Sequence, residues 1–363
     1  AKADWGTTPP AGYKAVNTAN LATPSITDGS AHFQPTLYSG NTSTQSIDQS
    51  GNSTFQPDWV WIKARGVAYD HALYDAVRGA TKEIKSNATD AEATITNGLT
   101  AFESDGFALG NRLGVNQSGQ NYVAWQWKAN GSGSSNTDGD ITSTVSANTT
   151  AGYSIVKYSG NGSDNQEIGH GLGLAPKMIF TKRLDASGNW TTYHDAVGIN
   201  KVFYLNSTAA VASNTEQYRA VPTSSVYTVG VGGDINNSSG TYVAYCFAEI
   251  PNYSSIGSYE GNTNAEGPFV YTGFKPAFVL VKNIDAATVW PIQDTARSPF
   301  NLANAQLFAN LNNAETTGYQ IDILSNGFKA RSADTGINGA TMIYMAFAEH
   351  PFGGDGAAPA TAR

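Results

Sequence analysis

One pattern of apolar positions occurs three times along the chain. Each copy begins with a proline, ends with a lysine six residues later, and places apolar side chains on both faces of an extended segment. The copies are Pro57–Lys63 (PDWVWIK), Pro176–Lys182 (PKMIFTK) and Pro276–Lys282 (PAFVLVK). A strand that is apolar on both faces is typical of the buried centre of a sheet, and proline is tolerated at its first residue. The pattern therefore predicts three units, each with one core strand.

Two further elements repeat in step with this core strand. A closing apolar strand follows at 122–127, 242–247 and 342–347, so that 70, 71 and 71 residues separate the proline from the last aromatic residue. An aspartate follows each lysine after 12 or 13 residues, which suits a neighbouring antiparallel strand. We therefore expect an all-β fold of three tandem antiparallel β-sandwich repeats, of jelly-roll or concanavalin-like type and about 95–100 residues each.

These repeats divide the chain into segments. The β-sandwich repeats are placed at 33–128, 151–250 and 251–352. We expect residues 1–32 to form an extended N-terminal arm, residues 129–150 to be a linker rich in Gly, Ser, Asn and Thr, and residues 353–363 to be a flexible C-terminal tail. Because the sequence begins with Ala1 rather than methionine, we expect a processed product or a part of a longer chain.

Composition and charge narrow the classes of partner. Charged residues make up 14% of the chain, and the net charge is −8 with an isoelectric point near 5.1. This balance disfavours nucleic acid, whose partners need basic patches. No apolar run is long enough to span a bilayer, so we expect no membrane insertion. The single cysteine, Cys246, lies in a closing strand, where we expect a small buried side chain.

The sharpest polar signal is a lysine and an aspartate that recur in every unit. The pairs are Lys63 with Asp75, Lys182 with Asp195, and Lys282 with Asp294. Each lysine shares its strand face with apolar side chains, so its ammonium group needs a partner. A packing solution repeats whenever the fold repeats, whereas a catalytic centre seldom needs three copies. We therefore interpret these residues as structural ion pairs rather than as a charged functional site.

The sequence shows no pattern for a catalytic, cofactor or metal site. The five histidines and one cysteine lack zinc-ligand spacing. Glu249 and Glu349 end closing strands and could join other carboxylates in glycoside hydrolysis, but the first unit has Ala129 at that position. We therefore predict no catalytic residue, no cofactor and no metal.

Four aromatic residues near the loops after the lysine strands are candidates for glycan stacking: Tyr69, Trp190, Tyr193 and Trp290. An aromatic ring has an apolar face that matches the apolar face of a sugar, and loops often carry function. The alternative is that these rings cover the edges of their own cores. Trp190 and Trp290 both follow their lysine by eight residues, and this regularity favours the structural alternative for them.

Longer strings carry a resemblance to a known family. They are PDWVWIKAR, LYDAVRGATK, LTAFESDGFALG, NYVAWQWKANG, GHGLGLAP, YVAYCFAEI, GPFVYTGFKPAFVLVK and IYMAFAEHPFGGDG. From about Gly12 to Arg363, the chain resembles a repeated β-rich domain of marine tailed-phage structural proteins. Those proteins are often tail or tail-fibre proteins that carry a SPRY-type, concanavalin-like domain upstream. The resemblance implies a virion component on the particle surface and supplies no catalytic residue.

We therefore expect a bacteriophage virion structural protein, favouring a tail fibre or other appendage that adheres to host-surface glycans. Its partners would be other virion proteins, a host glycan and further copies of itself, with a trimer expected by analogy with phage fibres. One alternative is a capsid or tail decoration protein that binds no ligand. The least favoured alternative is a polysaccharide depolymerase, which should carry a carboxylate pair in one unit only.

Overall fold

The computed structural model of the protein describes Leu21 and residues 23–354, so most of the predicted arm and tail lies outside the described residues. Strands account for 42% and helices for 5% of the described residues, and the strands form several antiparallel sheets. The expected all-β class is confirmed at this level. Among the described residues the helices are a 3-10 turn, Gly29–Ala31, and the α-turns α1 (Leu113–Asn116), α2 (Gly233–Asn236) and α3 (Thr335–Asn338). No helix of the described residues has the length and apolarity needed to cross a membrane.

The first repeat contains a four-stranded sheet of order β1-β9-β3-β4 and a three-stranded sheet of order β2-β8-β7, with β5 and β6 paired separately. The strands are β1 (Phe33–Ser39), β2 (Gln45–Asp48), β3 (Trp59–Ala64), β4 (Ala72–Asp75), β5 (Lys82–Glu83), β6 (Ala93–Thr94), β7 (Leu99–Glu103), β8 (Gly106–Leu109) and β9 (Asn121–Trp127). In every repeat, the sheet that contains the core strand is called the inner sheet below, and the three-stranded sheet is called the outer sheet.

The second repeat has an inner sheet of order β10-β11-β12-β20-β14-β15 and an outer sheet of order β13-β19-β18, with β16 and β17 paired separately. The strands are β10 (Ser134–Asn136), β11 (Ser143–Asn148), β12 (Tyr153–Ser159), β13 (Gln166–Gly169), β14 (Met178–Arg183), β15 (Trp190–His194), β16 (Lys201–Val202), β17 (Ala212–Ser213), β18 (Tyr218–Ala220), β19 (Val226–Val229) and β20 (Thr241–Phe247).

The third repeat has an inner sheet of order β21-β28-β23-β24-β25 and an outer sheet of order β22-β27-β26. The strands are β21 (Ser254–Glu260), β22 (Phe269–Tyr271), β23 (Phe274–Asn283), β24 (Pro291–Asp294), β25 (Leu307–Phe308), β26 (Ile321–Leu324), β27 (Gly327–Ala330) and β28 (Thr341–Pro351). In all three repeats the closing strand (β9, β20 or β28) lies between an equivalent earlier strand (β1, β12 or β21) and the core strand (β3, β14 or β23).

The core strands form where the apolar pattern predicts them. Every residue of β3 and of β23 is buried, because each strand has a neighbour on both sides and apolar packing on both faces. In the first repeat, one face of the inner sheet packs on the outer sheet through Val60, Ile62, Ile47 and Phe107. The other face carries Trp59 and joins a core shared by all three repeats.

This shared core lies where the three inner sheets meet. The last aromatic residues of the closing strands are Trp127, Phe247 and Phe347, and each touches the other two. The three ring-centroid distances are 6.5, 5.8 and 5.9 Å. Phe33 fills the same region against Trp127 and Phe347. The constant spacing seen in the sequence thus places one equivalent ring from each repeat around a pseudo-threefold axis, and the chain forms a closed cluster rather than a linear rod.

The segment 129–150, expected to be a linker, carries β10 and β11 and extends the second inner sheet at its edge. Val145 and Ser146 are buried, and Ile141 packs in the core of the second repeat. Polar composition misled the prediction because an edge hairpin and a loop have similar residue contents. The strand forms here because alternate side chains find packing partners on the sheet.

Candidate functional site

The three repeats contact one another at three equivalent interfaces, which we call seams. The residue eight positions after each lysine directs a ring nitrogen at a backbone carbonyl oxygen of a neighbouring repeat. The pairs are His71 with Phe308 at 2.9 Å, Trp190 with Lys85 at 2.7 Å, and Trp290 with Tyr204 at 3.2 Å. Trp61 donates to Nδ1 of His71 at 2.7 Å, so the neutral ring donates from Nε2. Burial lowers the pKa of His71 to about 3, which keeps that ring neutral.

Three of the four glycan-stacking candidates are buried, so the prediction is wrong for Trp190, Tyr193 and Trp290. These residues expose 0%, 1% and 1% of their surface. Trp190 stacks on Tyr245 with centroids 6.1 Å apart, and Trp290 stacks on Phe203 at 5.9 Å. Tyr193 lies in the core of the second repeat. A ring without an exposed face cannot stack on a sugar, and these loops are aromatic because a neighbouring repeat or core covers them.

The expected ion pair between Lys63 and Asp75 is also wrong. Asp75 lies opposite Trp59 in the strand register, which is about 13 Å along the strand from Lys63 at roughly 3.3 Å per residue. The Lys63 ammonium instead donates to the carbonyl oxygens of Ala64 and Val67, at 2.8 and 3.3 Å.

Lys182 and Lys282 repeat this arrangement, and their expected partners Asp195 and Asp294 also lie near the opposite end of the strand pair. The acceptors within 3.2 Å are the carbonyl oxygens of Thr89 and Arg183 for Lys182, and of Thr208 and Thr288 for Lys282. Thr89 and Thr208 belong to the preceding repeat, so these two lysines cross the seams. Burial lowers the pKa of Lys63, Lys182 and Lys282 to about 8.

Two of the aspartates pair with arginine instead. The buried ion pairs are Asp75 with Arg78 at 2.5 Å and Asp294 with Arg297 at 2.6 Å. Each aspartate also accepts a hydrogen bond across a seam, from the Tyr245 hydroxyl at 2.7 Å or the Trp125 indole at 2.9 Å. The second repeat has Gly198 in the arginine position, and its aspartate is exposed. The sequence signal for these pairs was the arginine three residues after the aspartate.

The remaining titratable candidates are structural as well. Glu249 pairs with Lys177, and Glu349 pairs with Lys275 at 3.4 Å, so both carboxylates have a lysine partner rather than the second carboxylate of the hydrolase hypothesis. Cys246 is fully buried in the core of the second repeat, and burial raises the pKa of its thiol. Within Leu21 and residues 23–354, no three His, Cys, Asp or Glu side chains form a group able to hold a metal.

One surface of the third repeat differs from the equivalent surface of the other two. Phe269 and Tyr271 on β22 point outward and expose 47% and 63% of their surface, while Val270 between them is buried. Two rings at alternate positions of one strand stand roughly 7 Å apart. We call these two residues the aromatic face.

The neighbouring strand leaves the aromatic face open. Tyr271 lies opposite Gly327, where a Cβ atom would lie 2.0 Å from the Val270 carbonyl oxygen. Only glycine fits this close approach, so no side chain covers the Tyr271 ring. Phe269 lies opposite Lys329, whose ammonium group binds Glu266 at 2.8 Å. The aromatic face is therefore bordered by charged groups that can form hydrogen bonds.

The strand registers identify the equivalent residues in the other repeats. Ser46 and Asp48 occupy these positions in the first repeat, and Glu167 and Gly169 occupy them in the second. The aromatic pair is thus a departure from the repeat. It was missed in the sequence, although the alternation Phe-Val-Tyr set against Ser-Ile-Asp would have revealed it.

A second surface feature involves Tyr69, the fourth glycan-stacking candidate. Tyr69 is half-buried, and its hydroxyl donates to Gln117 at 2.6 Å. It lines an open cleft of about 260 Å³ in the first repeat together with Asp70, Glu83 and Arg112. Tyr69 is therefore the one predicted aromatic residue that remains accessible beside polar groups.

Comparison with known proteins gives one family match. Residues 28–351 match the model described as "Domain of unknown function (DUF7483)". No curated protein and no solved structure matches the chain. The matched segment begins just before β1 and ends with the last residue of β28, so it spans all three repeats and both surface features.

Proposed function

The chain belongs to the DUF7483 family of domains of unknown function, and we propose that it is a structural protein of a tailed-bacteriophage virion, exposed on the particle surface as a tail fibre or other appendage. Its role there is non-enzymatic adhesion to host-surface glycans. The virion assignment is supported by the strings that resemble marine tailed-phage structural proteins. Its partners are then other virion proteins and a host glycan.

The proposal includes the finer fold assignment, three tandem β-sandwich repeats of jelly-roll or concanavalin-like type. Four inner-sheet strands of equivalent order in each repeat (β1-β9-β3-β4, β12-β20-β14-β15 and β21-β28-β23-β24) and the packing of inner on outer sheets support it. Because the repeats share one core, the chain is a rigid body that suits the presentation of a binding surface. A homotrimer of such chains follows only by analogy with phage fibres.

The observation that carries the adhesion role is the aromatic face. Exposed apolar patches bordered by polar groups mark interaction sites. The backbone of Phe269 and Tyr271 is already ordered in a strand, so ligand binding has only the two side chains left to order. Flat apolar rings beside the charged groups of Lys329 and Glu266 suit the apolar face and hydroxyl rim of a sugar. The other repeats, which share the fold, lack both rings.

A decoration protein without a ligand remains the alternative function, in which the aromatic face contacts a neighbouring virion protein. Cryo-electron microscopy of the intact virion separates the two roles. Density in a fibre that projects from the tail supports adhesion. Density at capsid or tail-tube lattice positions assigns the decoration role and removes receptor binding.

The depolymerase alternative has one observation in its favour, since the carboxylates of Asp70 and Glu83 line a cleft in the first repeat only. A glycoside hydrolase needs one carboxyl group with a raised pKa as general acid. Glu83 is instead paired with Arg112. Burial acts to raise the pKa of Asp70, but hydrogen bonds from Asn87 and Lys85 outweigh it and lower that pKa. Both carboxylates of the cleft therefore have partners that stabilise their charged form, which suits ligand binding rather than general-acid catalysis.

The aromatic face is tested by giving the third repeat the residues of the first. The double variant Phe269→Ser/Tyr271→Asp carries side chains that the same fold already accepts at Ser46 and Asp48. On an array of bacterial surface polysaccharides, we expect it to lose at least about tenfold in affinity, or about 1.4 kcal/mol, with an unchanged unfolding temperature.

The matched control is Ser46→Ala/Asp48→Ala, which alters the equivalent surface of the first repeat and should leave binding unchanged. Equal binding by the aromatic-face variant and the wild type, or no polysaccharide binding by the wild type, would overturn the adhesion proposal.

A further inference from the structure

Several polar residues of the cleft lined by Tyr69 are not repeated at the equivalent positions of the other two repeats. Its polar residues are Asp70, Glu83 and Arg112. Seven residues after the core-strand lysine, Asp70 is replaced by Asn189 in the second repeat and by Val289 in the third. The strand pairing aligns Glu83 with Val202 and with Gln306. The residue before the α-turn is Arg112 in the first repeat, Gly232 in the second and Asp334 in the third. A packing requirement of the fold would recur in all three repeats. This polar set occurs once and therefore serves something other than the shared fold.

The floor of the cleft is built from buried charge. The Glu83 side chain is 2% exposed and forms an ion pair with Arg112, whose side chain is 26% exposed. The hydroxyl of buried Tyr74 donates to the same Glu83 carboxylate. Removing a carboxylate from water is strongly unfavourable unless it is paired and hydrogen-bonded. Here both partners are supplied, which holds the Arg112 guanidinium in a set position at the cleft.

The rim of the cleft supplies complementary groups. Asp70 is held by Lys85 and Asn87, at 3.0 and 2.8 Å. Its lowered pKa keeps it ionised and able to accept further hydrogen bonds. Leu113, which is 49% exposed, and the Tyr69 ring add apolar surface to the same lining.

We propose that this cleft binds a single ring of a neutral sugar. A carboxylate that accepts and a guanidinium that donates suit the alternating donors and acceptors of neighbouring hydroxyl groups. The apolar surface of Tyr69 and Leu113 suits the C–H face of the ring. A volume of about 260 Å³ lies just below the range of roughly 300–1,000 Å³ for drug-sized ligands, which fits one monosaccharide. Asp70 and Glu83 outnumber Arg112 in the lining, so acidic sugars are disfavoured.

This site is distinct from the aromatic face, because it lies in the first repeat and recognises one ring through polar groups. A contribution to host attachment rests on the proposed adhesion role, whereas the sugar chemistry of the cleft does not.

The test uses the full chain with glucose, galactose, mannose, N-acetylglucosamine and glucuronate at millimolar concentration, in saturation-transfer NMR. The variant Asp70→Asn takes the residue of the second repeat at that position, Asn189. The double variant Glu83→Val/Arg112→Gly takes Val202 and Gly232 together and so leaves no buried charge unpaired. We expect at least one neutral sugar to bind the wild type, and both variants to lose at least about tenfold in affinity while keeping the unfolding temperature within a few degrees.

The control is Asp90→Asn. Asp90 binds the same Lys85 at 3.0 Å but is not part of the cleft lining, so its loss should leave sugar binding intact. The proposal is overturned if no neutral sugar binds, if glucuronate alone binds, or if binding survives both cleft variants. Two results together would refute the aromatic face and retain the cleft. Monosaccharide binding would depend on Asp70, and Phe269→Ser/Tyr271→Asp would leave polysaccharide binding intact. The converse result would refute the cleft alone.

Discussion

Trp290 gives the clearest test of whether the repeats are joined through aromatic seams. Its ring is 1% exposed, stacks on Phe203 with planes 8° apart, and donates to the Tyr204 carbonyl oxygen at 3.2 Å. Truncation of a buried tryptophan to alanine costs about 3–5 kcal/mol. The Tyr204 carbonyl oxygen also loses its cross-seam donor, and a polar group left without a partner costs about 1–3 kcal/mol. We therefore expect Trp290→Ala to lower the free energy of unfolding by about 4–8 kcal/mol.

Calorimetry converts this loss into a temperature shift. With an unfolding entropy of about 2.1 cal/mol/K per residue, a chain of 363 residues that unfolds as one cooperative unit should melt about 5–10 °C lower. Trp290→Phe keeps a stacked ring but loses the hydrogen bond and leaves a small void, so an intermediate loss of about 1–3 kcal/mol is expected. Tyr271→Ala, at an exposed ring of the same repeat, is the control and should change stability by about 0.5 kcal/mol or less.

A small loss of stability combined with weaker glycan binding would refute the role of Trp290 in the seam. If Trp290→Ala unfolds within about 1 kcal/mol of the wild type and weakens glycan binding, the ring is an exposed ligand contact. A melting shift several times larger than expected, confined to one of several transitions, would instead show that the third repeat unfolds alone. The shared core would then contribute little to cooperativity.

The charged groups give two further predictions. Burial lowers the pKa of Lys63, Lys182 and Lys282 from 10.5 to about 8, so between pH 8 and 9 the unfolded chain binds more protons than the folded chain and stability should rise with pH. At higher pH the buried tyrosines, whose pKa burial raises, act in the opposite direction. Chemical denaturation across that range should show the rise, and Lys282→Met should reduce it; a flat or falling profile would contradict the burial. Asp294→Asn removes the fully buried ion partner of Arg297, which keeps only the partly exposed Glu315 at 3.3 Å, and should cost about 3 kcal/mol by chemical denaturation. An unchanged midpoint would show that this pair is not needed.

The local pattern of the chain determined the strands and their repetition. Four consecutive apolar residues from Trp59 to Ile62, which point alternately to the two faces, identify a strand buried on both faces without reference to any neighbour. The constant distance from Pro57 to Trp127 and its equivalents identifies three copies of one arrangement. These features are readable because side-chain alternation and turn residues follow from the backbone geometry of each segment alone.

Only the tertiary structure decided what each aromatic and charged residue faces. Trp290 and Tyr271 are both aromatic residues near strand ends, yet one is buried in a seam and the other is open. Lys63 and Asp75 recur together in sequence but lie at opposite ends of a strand pair. Exposure and pairing depend on how the three repeats close around Trp127, Phe247 and Phe347, which are far apart along the chain. Contacts of that kind leave no mark on the local pattern, and the sequence alone therefore could not separate a seam residue from a binding residue.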